Sequence, residues 1–381
     1  MSSFYNRIII PLCFGSGLWL PAMLLCCVPW VQKQITLWPG KWLDEPERAG
    51  FLKNQVAPFR VTTKDGERLF AWLIAPLGAY AKNANDFIEE KPGGDDIEEK
   101  VAFKLLKEDP DARLLLYMHG NTATIAQGRR TEEYRSYSAG LSDKIFILAF
   151  DYRGFGKSTG SPSESGVLND AEAALDWAIH TANISPDRIV LLGHSLGTAV
   201  ATGLAHRYAN ANTATPIQFG GLILCAAFTN AGAAFSAYSV ADVLPLLAPV
   251  KMIPALQNWF TRRMRDTWRT DHRLKELVQW CDRLQLTLVH AEDDGTLPWN
   301  MTEELFASTL KAATGSAEQA KVKIIDLAEA GRQEIWSDGN RSISKLIAKH
   351  GDHNTMMKWT PISLAILEAF GATTINTTTR H

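Results

Sequence analysis

Apolar residues along this chain follow two rhythms. Short apolar runs read as buried strands: "RLLLYMHG" (113–120), "KIFILAFD" (144–151), "RIVLLGHS" (188–195), "GGLILCAA" (220–227), "LQLTLVHA" (284–291) and "AKVKIIDL" (320–327). Between them, "SGVLNDAEAALDWAIHTA" (165–182) and "LGTAVATGLAHRYA" (196–209) place apolar and small residues at helical spacing, and a last helix is expected over 359–371. Strands alternating with helices predict an α/β fold whose central sheet is mostly parallel and covered on both faces. "FRVTTKDGERLFAWLIAP" (59–76) differs: two alternating segments flank Asp65-Gly66, which predicts a hairpin. Residues 77–111, with "EEKPGGDDIEEK" in the middle, read as a solvated acidic surface loop. No internal repeat is visible.

The most apolar stretch, Ile8 to Val31, carries no charge and is bracketed by Arg7 and Lys33. It is long enough to cross a bilayer core, whereas the apolar part of a cleaved signal is about 7–15 residues. The expectation is an N-terminal transmembrane helix, with Trp19, Trp30, Trp38 and Trp42 suited to an interfacial belt. Flanking charges are nearly balanced, so sidedness stays open. A second apolar region, 228–280, is longer than a connector needs and predicts a helical cap over the site. The expected organisation is therefore an anchor and interfacial segment (1–50), a catalytic domain (51–375) and a short tail (376–381).

Composition narrows the function classes. Of 381 residues, 46% are hydrophobic and 21% charged, with a net charge of −2, which describes a globular chain with a full core. No basic block stands out, so nucleic acid is not an expected partner. The five cysteines form no C-x-x-C pair, and no zinc site is suggested; Cys225 and Cys281 read as buried thiols. No metal or organic cofactor is expected. Asn183, Asn300, Asn340 and Asn376 begin sequons, a number close to chance for such a chain. Oligomeric state is not legible.

The chemistry centres on "VLLGHSLGTA" (190–199), where a strand ends in a glycine on each side of a serine. A sharp strand-turn-helix would hold the Ser195 hydroxyl exposed and strained, ready to attack. Alone, G-x-S-x-G occurs by chance in roughly one chain in ten of this size. A serine nucleophile needs a base and an acid, in the chain order serine, acid, histidine. Downstream, "LVHAEDDGTLPW" offers Glu292, Asp293 and Asp294 after an apolar strand; Asp294, which begins an acidic-x-x-x-Pro turn with Pro298, is preferred over Asp293. In "KHGDHNTM", His353 is preferred over His350 as the base. The oxyanion hole would draw one backbone N–H from Leu196 and one from the "HGNT" loop, at Asn121, with His119 shaping that loop. "RGFGKST" (153–159) ends like a phosphate-binding loop but has Asp151 where that motif needs glycine; Gly154 and Gly156 are read as permitting a tight turn instead.

Together "YMHGN", "FDYRGFGKSTGSPSE", "DAEAALDWA", "GHSLGTAVAT" and "HAEDD" resemble the α/β-hydrolase superfamily. More narrowly they resemble the branch called α/β-hydrolase domain-containing protein 12, over about residues 55–371. That branch holds membrane-anchored monoacylglycerol and lysophosphatidylserine lipases. The resemblance implies Ser195 as nucleophile, Asp294 as acid and His353 as base, with a catalytic domain at the endoplasmic reticulum membrane. Two segments look longer than the family usually has: 77–111 and "EAGRQEIWSDGNRSISKLIAKHG" (329–351). The expected activity is hydrolysis of single-chain lipid esters. Rivals are a protein-depalmitoylating thioesterase, which predicts a cytoplasmic domain, and a non-catalytic membrane-tethered scaffold. The basic run Arg262, Arg263, Arg265 reads first as a solvated or membrane-facing surface, and second as an anionic headgroup site.

Overall fold

The structure is a computed structural model that describes residues 42–91, 96–209, 217–237, 239–240, 244–245, 264–316 and 320–371. The expected membrane helix within 8–31, the tail 376–381, the basic residues Arg262 and Arg263 and much of the expected cap lie outside the described residues. No helix among those described is long and apolar enough to cross a membrane.

The described residues build a ten-stranded sheet in the order β1-β2-β4-β3-β5-β6-β9-β12-β11-β10. Its middle is parallel: β4 (Ile145–Phe150), β3 (Arg113–Met118), β5 (Ile189–His194), β6 (Gly221–Cys225), β9 (Leu284–Ala291) and β12 (Arg341–Ala348). The expected hairpin forms β1 (Val56–Thr62) and β2 (Arg68–Ile74), which join antiparallel at one edge. At the other edge lie β11 (Arg332–Ser337) and β10 (Lys323–Asp326), also antiparallel. Two further strands, β7 (Ser239–Val240) and β8 (Leu244–Pro245), make a separate small hairpin.

The near-continuous apolar runs make sense once both faces are counted. Along β5, Ile189 and Leu191 enter one core while Val190 and Leu192 enter the other. β3 and β4 alternate likewise, with Leu114 and Leu116 opposed to Leu115 and Tyr117. Period-two alternation is intact, but both phases are apolar because helices cover both faces.

Ten helices among the described residues matter here: α1 (Leu77–Lys82), α2 (Ala84–Glu89), α3 (Val101–Glu108), α4 (Gly128–Tyr137), α5 (Glu164–Asp176), α6 (Leu196–Ala209), α7 (Ala231–Ala237), α8 (Thr270–Trp280), α9 (Asn300–Thr314) and α10 (Thr360–Ala369). Three expectations are corrected by them and by the sheet. Residues 77–111 are not a loop: α1, α2 and α3 bury Phe87, Phe103 and Leu106, an amphipathic face that the surrounding acids hid from view. The run 320–327 is not a buried parallel strand, because β10 is a short, mostly exposed edge strand paired antiparallel to β11. The segment 329–351, longer than the resembled family usually has, supplies β11 and β12, and β12 pairs parallel with β9 inside the sheet. Finally, the end of the expected cap belongs to the domain body: α8 packs on α6 and α9, with Leu274, Leu277 and Val278 in the main core.

Candidate active site

Parallel strands deliver the expected residues to one end of the sheet. Gly120 follows β3, Ser195 follows β5, Asp294 follows β9 and His353 follows β12. Ladder bonds run past the strand ends: Ser195 N–H to Cys225 O (2.9 Å), Ala226 N–H to Val289 O (2.9 Å) and Glu292 N–H to Ala348 O (2.8 Å). The loops thus leave the sheet at one level, at its carboxyl edge, where open α/β sheets place their sites.

The elbow shows why glycines flank the serine. The left-handed backbone belongs to Ser195 itself, with φ 53°. An L residue there costs about 1–2 kcal/mol. The glycines supply room instead: a Cβ on Gly197 would lie 1.9 Å from Met118 O, and one on Gly193 2.3 Å from Gly197 O. These contacts bring α6 tight against β3 and β5. Ser195 is 8% exposed, so it is recessed rather than prominent. Its immediate wall is the loop after β3, where a Cβ on Gly120 would come within 3.2 Å of Ser195 Cβ.

Asp294 and His353 are brought together. His353 Nδ1–H donates to Asp294 Oδ2 at 2.7 Å. His290, absent from the sequence reading, donates from Nε2 to the same oxygen at 3.0 Å. Its Nδ1 accepts from the Thr302 hydroxyl at 2.7 Å, which fixes the tautomer. Asp294 Oδ1 accepts from the N–H groups of Thr296 (2.8 Å) and Leu297 (2.9 Å). Burial opposes ionisation of this carboxyl, but the hydrogen bonds from His290 and His353 outweigh it and hold the group well below the usual carboxylate range.

The remaining candidates separate cleanly. Asp293 makes no hydrogen bond or ion pair with His353 among the described residues; it accepts from Asp352 N–H (2.9 Å) and Gly351 N–H (3.3 Å) and so anchors the loop that carries His353. His350 is exposed, 4.0 Å from Asp293. His194, between Gly193 and Ser195, donates from Nε2 to the His353 carbonyl at 2.7 Å. Burial, followed by the nearby His353, pushes His194 down to about 3, so it stays neutral. The Ser195 hydroxyl makes no hydrogen bond among the described residues, and neither do the N–H groups of Asn121 and Leu196. The structure therefore joins His353 to Asp294, while no hydrogen bond joins Ser195 Oγ to His353 among the described residues. His119 is buried, with Nδ1 on Gly120 O at 2.7 Å, in keeping with a loop-shaping part. Gly154 and Gly156 both have positive φ, at 77° and 48°. Cys225 and Cys281 are buried free thiols. No group of three or more His, Cys, Asp or Glu among the described residues could hold a metal ion.

His290 was legible in principle, as the residue four before Asp294. His194 and Asp293 were visible but had no assigned partner. Only the fold shows that all three serve the Asp294–His353 pair.

A family model described as the alpha/beta hydrolase family matches residues 114–331. The chain belongs to the alpha/beta hydrolase family. This alpha/beta hydrolase is 31% identical over 212 residues to the lysophosphatidylserine lipase ABHD12 of Gallus gallus, over 56% of this chain and 51% of that protein. It is 33% identical over 196 residues to protein ABHD12B of Homo sapiens, over 51% of this chain and 49% of that protein. The chain spans about half the length of these curated relatives. The fold is similar to that of a crystallised alpha-beta hydrolase from Vibrio vulnificus, with a TM-score of 0.57 at 17% identity, covering 91% of this chain and 93% of that one.

Proposed function

We propose that this alpha/beta hydrolase is a membrane-anchored serine hydrolase that cleaves acyl esters of single-chain lipids, monoacylglycerol or lysophospholipid. The observation that carries the reading is the Asp294–His353 hydrogen bond of 2.7 Å, set at the strand ends beside the left-handed elbow of Ser195. In this reading Ser195 Oγ attacks the acyl carbonyl carbon, and His353 Nε2 takes the hydroxyl proton. Asp294 stabilises the resulting imidazolium. The N–H groups of Leu196 and Asn121 meet the oxyanion. His353 then hands its proton to the departing glycerol or glycerophosphate oxygen. Water, deprotonated by the same histidine, attacks the acyl-enzyme and releases the fatty acid.

The lipid substrate is supported by similarity to a lysophosphatidylserine lipase and by the uncharged stretch 8–31, which would bring the site to a membrane, in this reading that of the endoplasmic reticulum. The test is fatty-acid release from monoacylglycerol and lysophosphatidylserine by the full chain in detergent micelles, with an S-palmitoylated peptide alongside. Release from either lipid, lost in Ser195→Ala, is the expected result. Turnover of the thioester alone would move the activity to protein depalmitoylation. No turnover by folded protein would favour a scaffold.

A further inference from the structure

Arg130, on α4, is a buried cation with an unusual set of partners. No carboxylate of the described residues lies within ion-pair distance of its guanidinium. Its nitrogens serve three carbonyls within five residues instead: Nη1 donates to Thr124 O at 2.7 Å, and Nη2 to Thr122 O at 3.0 Å and Gly120 O at 3.2 Å. The loop it grips is strained, since Thr122 and Ala123 are consecutive left-handed residues at φ 67° and 57°. Two such residues persist only where surroundings over-determine them.

The gripped carbonyls bracket Asn121. A trans peptide is planar, with its C=O and the following N–H pointing opposite ways. Gly120 O accepts from Arg130 Nη2 at 3.2 Å and from His119 Nδ1–H at 2.7 Å. The Asn121 N–H, in the same peptide plane, must therefore point away from Arg130, and it makes no hydrogen bond among the described residues. Gly120 meanwhile lies against the elbow, its would-be Cβ 3.2 Å from both Ser195 Cβ and His194 Nδ1.

We propose that Arg130 is a positioning residue of the oxyanion site, holding the Gly120 and Thr122 carbonyls so that the Asn121 N–H is aimed and adding positive potential where the oxyanion forms. The inference rests on the reading of Ser195 as nucleophile with Asn121 and Leu196 as donors. A guanidinium is suited to it because its planar fork reaches several carbonyls at once and its charge is permanent. Preorganised donors of this kind act on the transition state far more than on bound substrate.

The test compares Arg130→Met and Arg130→Lys with wild type in the full chain, after thermal unfolding has established that each is folded. Turnover of a short p-nitrophenyl ester gives kcat and KM. A trifluoromethyl ketone, which forms a tetrahedral oxyanion on the serine, and a non-reactive ether analogue report the two binding modes. For Arg130→Met we expect kcat to fall about 10²-fold, near the cost of losing one oxyanion donor. KM should stay within about twofold, ketone affinity should fall with kcat, and ether affinity should hold. Arg130→Lys keeps charge without the fork and should fall between, and it carries the test alone if Arg130→Met does not fold. Variants with wild-type kcat and ketone affinity overturn this inference and leave the nucleophile reading standing. Equal weakening of ketone and ether also overturns it, because that marks a merely structural staple. A folded wild type that neither turns over ester nor binds the ketone overturns the nucleophile reading and this inference with it.

Discussion

Asp294 and Ser195 stand at the same edge of the sheet, yet their polar atoms are treated in opposite ways. Each oxygen of Asp294 accepts two hydrogen bonds, two from histidines and two from backbone N–H groups. Ser195 Oγ, Asn121 N–H and Leu196 N–H accept or donate none among the described residues. The saturated half ties two imidazoles, His290 and His353, to one carboxyl oxygen. The open half is shaped by the left-handed Ser195, the close glycines and the loop that the Arg130 side chain grips. Under the proposed function, these unpaired groups are the nucleophile and the oxyanion donors. Orientation is thus built in on one side and reserved on the other.

On the open side, Ser195→Ala should reduce turnover by about 10⁶-fold, to the level the rest of the site supports without a nucleophile. Rates at saturating ester check it, and residual turnover above about one per cent would remove Ser195 from its role. On the saturated side, Asp294→Asn should lower kcat by about 10⁴-fold, as when a triad acid can no longer hold the histidine tautomer. The same carboxyl sharpens the contrast through pH. Its folded pKa is depressed. Its contribution to stability is therefore fully present above the ordinary carboxylate value of about 3.9 and is lost as pH falls through the depressed one. The unfolding free-energy difference between wild type and Asp294→Asn should shrink as pH falls below about 4.

A smaller effect separates the two histidines on Asp294. His290→Leu removes one donor from a charged acceptor, worth about 1.5–3 kcal/mol, and kcat/KM should fall about 10- to 100-fold. His290→Gln, which can still donate an N–H, should recover part of the loss. An unchanged rate in His290→Leu would reduce that histidine to core packing. The smallest effect concerns the support under the open half. Asp151 Oδ1 accepts from Ile125 N–H at 2.8 Å, while Oδ2 has no hydrogen-bond partner among the described residues and His119 Nε2 lies 3.6 Å from Oδ1. Burial pushes Asp151 up to about 7. Between about 4 and 7 the unfolded chain has lost a proton that the folded chain keeps, so this group lowers stability as pH rises. Asp151→Asn should gain Tm relative to wild type between pH 5 and pH 8, and a constant difference would contradict the assignment.

The sequence made the backbone of this picture readable where physics is local. Apolar runs doubly buried in β3, β4, β5 and β9 announced themselves, as did the Asp65-Gly66 turn. Asp294 and His353 were chosen from turn chemistry and family resemblance, and they do meet. What escaped was decided at a distance. β12 and β11 were missed because "IWSDGNRSISKL" mixes polar residues into strands that sit near an edge, where one face need not be apolar. The helices of 77–111 were missed because acidic residues on the outer face dominate the composition. His290, His194 and Arg130 are ordinary letters until the fold places a carboxylate, a carbonyl or a strained loop beside them.

The most direct measurement is fluorophosphonate labelling of the purified full chain, with the modified residue located by peptide mass spectrometry and the labelling challenged by lysophosphatidylserine and monoacylglycerol. The account predicts one labelled site, Ser195, protected by the lipid that is hydrolysed and absent in Ser195→Ala. A folded wild type that takes no label, or takes it on another residue, would contradict it.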